Sequence, residues 1–101
     1  HVVLFGFEQE GILIGFMGIA EGNLEMLFID NNYRGTGIGK KLITYAIDNL
    51  QVTKVAVNEQ NGQAVGFYKH MGFSVYKRSA LDGEGKEYPI LHMQLSNFYS
   101  Q

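Results

Sequence analysis

Nine residues from Tyr33 to Lys41, with glycine at positions 35, 37 and 39, constrain the fold more than any other stretch. An apolar run from Leu24 to Ile29 precedes them, and apolar residues at helical spacing follow them. Glycine has no Cβ, so this segment can turn sharply and bring its backbone amides close to a ligand. The first amides of a helix lack internal partners and lie at the positive end of its dipole. The stretch therefore predicts a strand, a loop and a helix whose first turn binds a phosphate group.

Three phosphate-binding motifs compete for this stretch, and the spacing of the glycines separates them. A P-loop would need glycine at position 34 and serine or threonine at position 41, where Arg34 and Lys41 stand. A dinucleotide fingerprint would need its third glycine at position 40, although Glu59 lies near the distance at which that motif has an acidic residue. The pattern Arg/Gln-x-x-Gly-x-Gly/Ala is met in full by the six residues from Arg34 to Gly39.

The composition favours one globular domain. The chain has 101 residues, of which 46% are hydrophobic and 18% are charged. Its net charge of −2 gives no basic footprint for a nucleic acid, and no apolar run is long enough to cross a membrane. The sequence contains no cysteine, which excludes a thiol nucleophile and fits a reducing cytoplasm, where we expect the protein to be.

Hydrophobic periodicity predicts an α/β fold with a mixed, twisted sheet of about six strands and two helices. The strand, helix and strand in the middle of the chain form a crossover unit, so the two strands should be parallel. A polar, glycine-rich loop at 81–87 should be mobile. The predicted strands span 1–7, 12–19, 24–30, 53–58, 73–80 and 89–95, and the predicted helices span 36–50 and 63–71.

A second motif follows the glycine loop, in the form Asn-x-x-Ala-x-x-Phe-Tyr-x-x-x-Gly-Phe from Asn61 to Phe73. Asn61 is a good helix N-cap, and Gly72 is suited to the left-handed residue that ends a helix. Together, in this order, the two motifs resemble those of the GNAT superfamily of acyl-CoA-dependent N-acyltransferases. The resemblance implies a GNAT-like fold and an enzyme that transfers an acetyl group from acetyl-CoA to an amine.

The resemblance also assigns roles to residues. The glycine loop would hold the pyrophosphate of acetyl-CoA, the end of the preceding strand would pair with its pantetheine arm, and Tyr68 would protonate the departing thiolate. The amine would attack the thioester directly in a ternary complex, with no metal. The residues that the resemblance assigns to acetyl-CoA are Leu27, Phe28, Ile29, Arg34, Gly35, Thr36, Gly37, Ile38, Gly39, Lys40, Asn61 and Tyr68.

Each assigned side chain has a plainer alternative. Tyr68 lies on the apolar stripe of its helix, where it would serve equally as a core aromatic residue. Asn61 would act as a helix cap with or without a ligand, and Arg34 would be solvated if it does not contact phosphate.

The identity of the general base stays open between a carboxylate and water. The amine must lose a proton before it attacks, and Glu25, on the strand that the resemblance places beside the cleft, is the first candidate. Glu21 is the second, and a chain of waters is the third. His70 and His92 fit packed or surface histidines better than bases, and no group of His, Asp and Glu has the spacing of metal ligands.

The chain departs from the family at its amino end. The family has a strand and two helices before the hairpin that begins here at His1, and those helices form one wall of the acceptor pocket. We therefore expect an N-terminally incomplete domain that by itself has little activity, and an uncovered apolar surface that favours a homodimer. Two rival functions stay open: a coenzyme A-binding module without turnover, and a nucleotide-binding regulatory domain.

Overall fold

A computed structural model of the chain describes residues 1–96. The chain forms two compact units, residues 1–53 and residues from 54 onward. The first unit contains the strands β1 (Val3–Gln9), β2 (Ile12–Ala20) and β3 (Asn23–Ile29), a 3-10 turn (Asn31–Tyr33) and the helix α1 (Ile38–Asn49). The second contains β4 (Lys54–Asn58), α2 (Gly62–His70), β5 (Phe73–Ser79) and β6 (Ile90–Leu95).

Two-residue turns connect the first three strands into an antiparallel meander. Glu10 and Gly11 have φ values of 54° and 82°, and Glu21 and Gly22 have φ values of 51° and 82°. Positive φ at both central residues is typical of the type I′ turn, whose twist matches that of the flanking strands. The predicted strand 1–7 ended too early, because Glu8 and its neighbour Gln9 belong to β1 and pair with β2.

A bulge interrupts the pairing of β2 with β3. Ile19 lies opposite Leu24 and Gly18 lies opposite Met26, so Glu25 is the extra residue on β3. A bulge bends its strand and redirects the side chains beside it. It explains why Glu25 and Met26, although consecutive, are both exposed.

The helix α1 packs against β2 and β3 through one apolar face. A Cβ at Gly15 of β2 would lie 3.2 Å from Cδ1 of Leu42, so the glycine permits this close approach. The helix begins at Ile38 instead of 36, because Gly37 has a φ of 87° and cannot continue a right-handed helix. The buried residues of the helix are Ile38, Leu42, Ile43 and Ala46.

In the second unit, β6 lies between β4 and β5 and is antiparallel to both. The helix α2 packs against β4 and β5. Gly72 ends this helix region with a φ of 103°, as predicted, and Phe73 follows it into the core with 2% of its surface exposed. The other buried side chains of this sheet are Val55, Val57, Met93 and Leu95.

The loop between β5 and β6 is held by hydrogen bonds. One carboxylate oxygen of Asp82 accepts from the amides of Glu84 and Lys86, each at 2.9 Å. The Asp82 amide donates to the Lys86 carbonyl at 2.9 Å. The side chain of Asp82 therefore satisfies backbone donors of this loop, which the sequence predicts to be mobile.

Neither of the helices found within residues 1–96 is long and apolar enough to span a bilayer.

Candidate active site

The glycine loop presents backbone amides at the start of α1. The first hydrogen bond of this helix runs from the Lys41 amide to the Gly37 carbonyl at 3.1 Å, so the amides of the preceding residues lie before the helical ladder begins. Gly35 and Gly37 have φ values of 79° and 87°, which favour glycine. A Cβ at either position would meet no heavy atom within 4 Å, so open space lies above the loop. Apart from the Thr36 amide, which donates to the Tyr33 carbonyl at 3.3 Å, the loop thus offers donors suited to an anion.

Asp30 and Thr36 fix the shape of this loop. One carboxylate oxygen of Asp30 accepts from the Asn32 amide at 2.8 Å, and the Asp30 carbonyl accepts from the Tyr33 amide at 2.9 Å. The Thr36 hydroxyl donates to the Tyr33 carbonyl. The predicted binding residue Thr36 therefore has its hydroxyl engaged within the loop. The 3-10 turn was not predicted from the sequence, although an Asp followed by two Asn is a recognisable turn signal.

The loop is also tied to the sheet of the first unit. The Asp30 amide donates to the Ile14 carbonyl of β2 at 2.9 Å, immediately after the end of β3. The last residues of β3 pair with β2 through Leu27 opposite Met17 and Phe28 opposite Phe16. The structure therefore brings the predicted residues 27–29 and 34–40 together as consecutive parts of one strand–loop–helix segment.

Three cationic residues flank the amides along the chain. Arg34 follows the 3-10 turn in extended conformation, and Lys40 and Lys41 lie in the first turn of α1. All three are exposed. The ion pairs found within residues 1–96 join other residues, Arg78 with Glu59 and Lys86 with Glu84, so these three cations have no carboxylate partner within that range. They add positive charge to the amide set.

The two carboxylates considered as bases both lie on the hairpin of β2 and β3. Glu25 is the bulged, exposed residue of β3, and Glu21 is the first central residue of the preceding turn. The bulge gives Glu25 a position that strand alternation alone could not predict. Neither carboxylate is paired within the described chain.

Tyr68 is a buried aromatic residue of α2 in the second unit. Only 7% of its surface is exposed, and its ring packs edge-on against Phe67 at 5.2 Å and Phe73 at 6.0 Å between centroids. Burial raises the pKa of the Tyr68 phenol above its ordinary value of 10.0, since the charged phenolate would lose hydration. Tyr68 therefore keeps its proton at neutral pH, as a proton donor must.

Asn61 caps the helix that carries Tyr68. Its side-chain oxygen accepts from the Ala64 amide at 3.1 Å, which is the N-cap interaction that the sequence predicts. The side chain is exposed, so its amide nitrogen remains free to contact a ligand. Asn61 and Tyr68 are placed on one helix, at its start and in its second half.

Glu59, the acidic residue that a dinucleotide-binding motif would use, forms a salt bridge with an arginine. Nε and Nη2 of Arg78 donate to its two carboxylate oxygens at 2.9 and 3.0 Å. The hydrogen bonds from Arg78 lower the pKa of Glu59, and its charge acts in the same direction. Because both oxygens are engaged, Glu59 is a poor ligand for a ribose, and the dinucleotide alternative loses support.

The histidines are not placed as bases. His92 of β6 lies 2.9 Å from the Ser79 hydroxyl through Nε2, with its ring 6.3 Å from that of Tyr76. His70 is exposed in the last turn of α2. Among the residues that the structure describes, no three His, Asp or Glu side chains are grouped as a metal site would require.

Comparison with known proteins decides the family. The family model of the acetyltransferase (GNAT) domain matches residues 1–96. The chain belongs to the GNAT acetyltransferases. The fold class predicted from the sequence, an α/β fold with a mixed sheet and two helices, is confirmed, as is the resemblance drawn from the two motifs.

Two similar proteins share a name. The chain is 49% identical over 80 residues to the peptidyl-lysine N-acetyltransferase YjaB of Salmonella typhimurium, with 79% of this chain and 55% of that protein covered. The solution structure of apo YjaB from Escherichia coli has a TM-score of 0.81 and 40% identity, with 90% of this chain and 63% of that chain covered. The chain thus spans about half the length of the curated relatives it matches.

A second similar structure contains the coenzyme. The crystal structure of the NatC complex bound to Gag peptide and CoA has a TM-score of 0.71 and 27% identity, with 86% of this chain and 63% of that chain covered.

Proposed function

We propose that the protein transfers an acetyl group from acetyl-CoA to a primary amine by direct attack in a ternary complex. One observation carries the proposal: the open set of amides in the loop before α1, in a chain of the GNAT family. An oriented set of backbone donors at a helix start binds a pyrophosphate with no side chain in the way.

The residues of the first unit fit acetyl-CoA. The amides of 35–40 would hold the pyrophosphate, with Arg34 and Lys40 adding charge, and the backbone at 27–29 would pair with the pantetheine arm. Acetyl-CoA supplies an acyl group activated as a thioester. The protein then orients that group, excludes water from it, accepts one proton from the amine and donates one to the thiolate.

The two protons need two groups. Before attack, the protonated amine must give up a proton. We propose Glu25 as the acceptor of that proton, and Glu21 or water as the alternative acceptor. After attack, the departing thiolate needs a proton, and we propose the Tyr68 hydroxyl as its donor. With no cysteine in the sequence, direct attack is the simpler route.

For the acceptor we propose a lysine side chain in a peptide or protein. The curated relative from Salmonella typhimurium is named a peptidyl-lysine N-acetyltransferase, and it is 49% identical over the matched residues. A small amine or a peptide terminus is the alternative. We propose the cytoplasm as the location, which the absence of cysteine fits without requiring it.

Thermal unfolding with acetyl-CoA tests whether the loop before α1 binds the pyrophosphate. A ligand that binds only the folded state stabilises it by mass action, so acetyl-CoA should raise the Tm. Gly37→Val should abolish this rise, because a β-branched residue is strained at a φ of 87° and its side chain would occupy the anion site.

Gly85→Val is the matched control. Gly85 has a φ of 79° and equally open surroundings, but it lies in the loop between β5 and β6. This variant should lower the Tm of the free protein by a similar amount and keep the rise caused by acetyl-CoA. If folded Gly37→Val keeps that rise, the pyrophosphate is not bound at this loop.

A further inference from the structure

The sheet of the second unit has one buried face and one face that carries polar and charged side chains. Val55 of β4 and Met93 of β6 lie opposite each other and are buried. Consecutive residues of a strand lie on opposite faces, so their neighbours Lys54 and His92 lie on the other face. We call this second face the open sheet face, and its residues are Lys54, Tyr76, Lys77, Ser79 and His92.

Four of these side chains contact one another in a row. The Ser79 hydroxyl lies 2.9 Å from Nε2 of His92, and the rings of His92 and Tyr76 are 6.3 Å apart between centroids. Nζ of Lys54 lies over the Tyr76 ring, 5.5 Å from its centroid. The ammonium group of a β4 residue is therefore held above the neighbouring strand β5.

A bulge in β5 adds a second lysine to this face. Val75 lies opposite Met93 and Lys77 lies opposite His92, so Tyr76 is the extra residue of the strand. Lys77 is two positions from Ser79 on the regular part of β5, and alternate residues share a face. Lys77 is exposed, and it directly follows the tyrosine that holds Lys54. The two positive charges therefore converge on β5.

No carboxylate on these strands balances the two lysines. The strands β4, β5 and β6 contain neither aspartate nor glutamate. The ion pairs found within residues 1–96 join Arg78 with Glu59 and Lys86 with Glu84, and include neither lysine of the open sheet face. The contact with the Tyr76 ring orders the Lys54 ammonium without neutralising it. A ligand with closely spaced carboxylates would supply the missing negative charge.

The position of the lysines at a sheet edge favours a peptide as this ligand. Within residues 1–96, β5 is the last strand of the sheet and pairs with β6 alone. Its outer edge therefore offers backbone donors and acceptors with which an extended peptide can pair. A nucleic acid would use only the charges, and it needs a broader basic surface than two lysines in a chain of net charge −2.

We infer that the open sheet face docks an acidic peptide segment of a partner protein. The carboxylates of the segment pair with Lys54 and Lys77, and its backbone lies along the outer edge of β5. Tyr76 is a positioning residue, since it holds the Lys54 ammonium over the edge strand. This docking goes beyond the proposed acetyl transfer, because it uses neither the glycine loop nor Tyr68.

Fluorescence anisotropy with the full-length protein tests this inference. The probes are a labelled peptide that alternates glutamate and serine, and the same peptide with glutamine in place of glutamate. At low salt the glutamate peptide should bind roughly tenfold more tightly, and added salt should reduce this preference, because exposed ion pairs are screened. Lys54→Gln and Lys77→Gln should each weaken its binding by about three- to fivefold, and the two together should abolish the preference.

Two substitutions of Tyr76 test its positioning role. Tyr76→Leu removes the ring that holds the Lys54 ammonium, so it should weaken binding of the glutamate peptide about as much as Lys54→Gln does. Tyr76→Phe keeps the ring and should bind as the wild type does. Equal effects of the two substitutions would contradict this role of the ring.

Lys69→Gln and Lys86→Gln are the matched controls, since each removes one exposed positive charge from the second unit. Lys69 lies on α2 and Lys86 in the loop between β5 and β6, so both variants should bind the glutamate peptide as the wild type does. Equal binding of the two peptides by the wild type would overturn the inference. A preference for glutamate that survives the loss of both Lys54 and Lys77 would also overturn it. Binding of a labelled single-stranded oligonucleotide in place of the glutamate peptide would overturn it as well, and would make this face a nucleic-acid surface.

Discussion

At the residue scale, the burial of Tyr68 fits the acid role that we propose for it. Its ring is held by Phe67 and Phe73, and the low exposure of the residue keeps the phenol protonated by raising its pKa. A phenylalanine at this position would preserve both aromatic contacts and remove only the hydroxyl. The contribution of that oxygen is therefore separable from the contribution of the ring.

Tyr68→Phe should lower kcat with little change in the affinity for acetyl-CoA. General acid catalysis contributes about 10²–10⁴-fold, and thiolates leave readily, so we expect a loss of about 10²-fold. A loss confined to kcat marks an interaction made mainly in the transition state. Steady-state kinetics and calorimetry on the same preparation measure both quantities.

The loss should stay constant between roughly pH 7 and 9, because the pKa of Tyr68 lies above this range. Equal losses in kcat and in affinity would make Tyr68 a binding residue. Unchanged values would assign the proton to water.

Residues whose partners are close along the chain were predicted from the sequence. The cap made by Asn61 and the left-handed Gly72 follow from local rules, because each interaction spans a few residues. The pair of Glu59 and Arg78 was missed, since its members are 19 positions apart and meet only through the strand arrangement.

At the element scale, the two hairpin turns carry an unusual residue. Both have glutamate at the first central position, where φ is positive and asparagine or aspartate is preferred. A side chain with a Cβ is strained there, and asparagine tolerates the conformation best among residues other than glycine.

Glu10→Asn should therefore stabilise the protein by about 0.5–1 kcal/mol. The turn of Glu10 and Gly11 is remote in sequence from the glycine loop, so the affinity for acetyl-CoA should not change. Chemical denaturation measures the gain. Gln9→Asn is the control, since asparagine is disfavoured within β1 and should destabilise. A loss of stability in Glu10→Asn would show that the glutamate makes a contact that outweighs the strain.

Elements with strong periodicity were predicted from the sequence, and irregular ones were not. The helices were found within two residues of their observed ends, because their apolar stripes repeat at helical spacing. The 3-10 turn and the bulge at Glu25 were missed. Both depend on how the backbone meets a neighbouring strand, which hydrophobic spacing does not encode.

At the scale of the whole molecule, the first hairpin has a large apolar surface. Within the described residues β1 pairs with β2 alone, and five apolar side chains of this hairpin are roughly half exposed or more. An exposed strand edge and exposed apolar side chains favour association. The side chains are Val2, Val3, Leu4, Ile12 and Leu13.

We propose that the 101-residue chain forms a homodimer or a larger species through this hairpin. Sedimentation velocity over a range of concentrations should show association. Leu4→Lys, which charges the most exposed of these side chains, should shift the equilibrium towards monomer. The matched variant Tyr88→Lys changes an exposed residue of the second unit and should leave association unchanged. A monomer at high concentration would contradict the proposal.

The release of free thiol from acetyl-CoA by the full-length protein tests the central claim most directly. Lysine-containing peptides, peptides with a free amino terminus and small amines serve as acceptors, and mass spectrometry identifies the product. We predict thiol release that requires an amine, equals the amount of acetylated amine and is greatest with a lysine peptide. Binding of acetyl-CoA without thiol release across the panel would contradict the claim and make the protein a coenzyme-binding module.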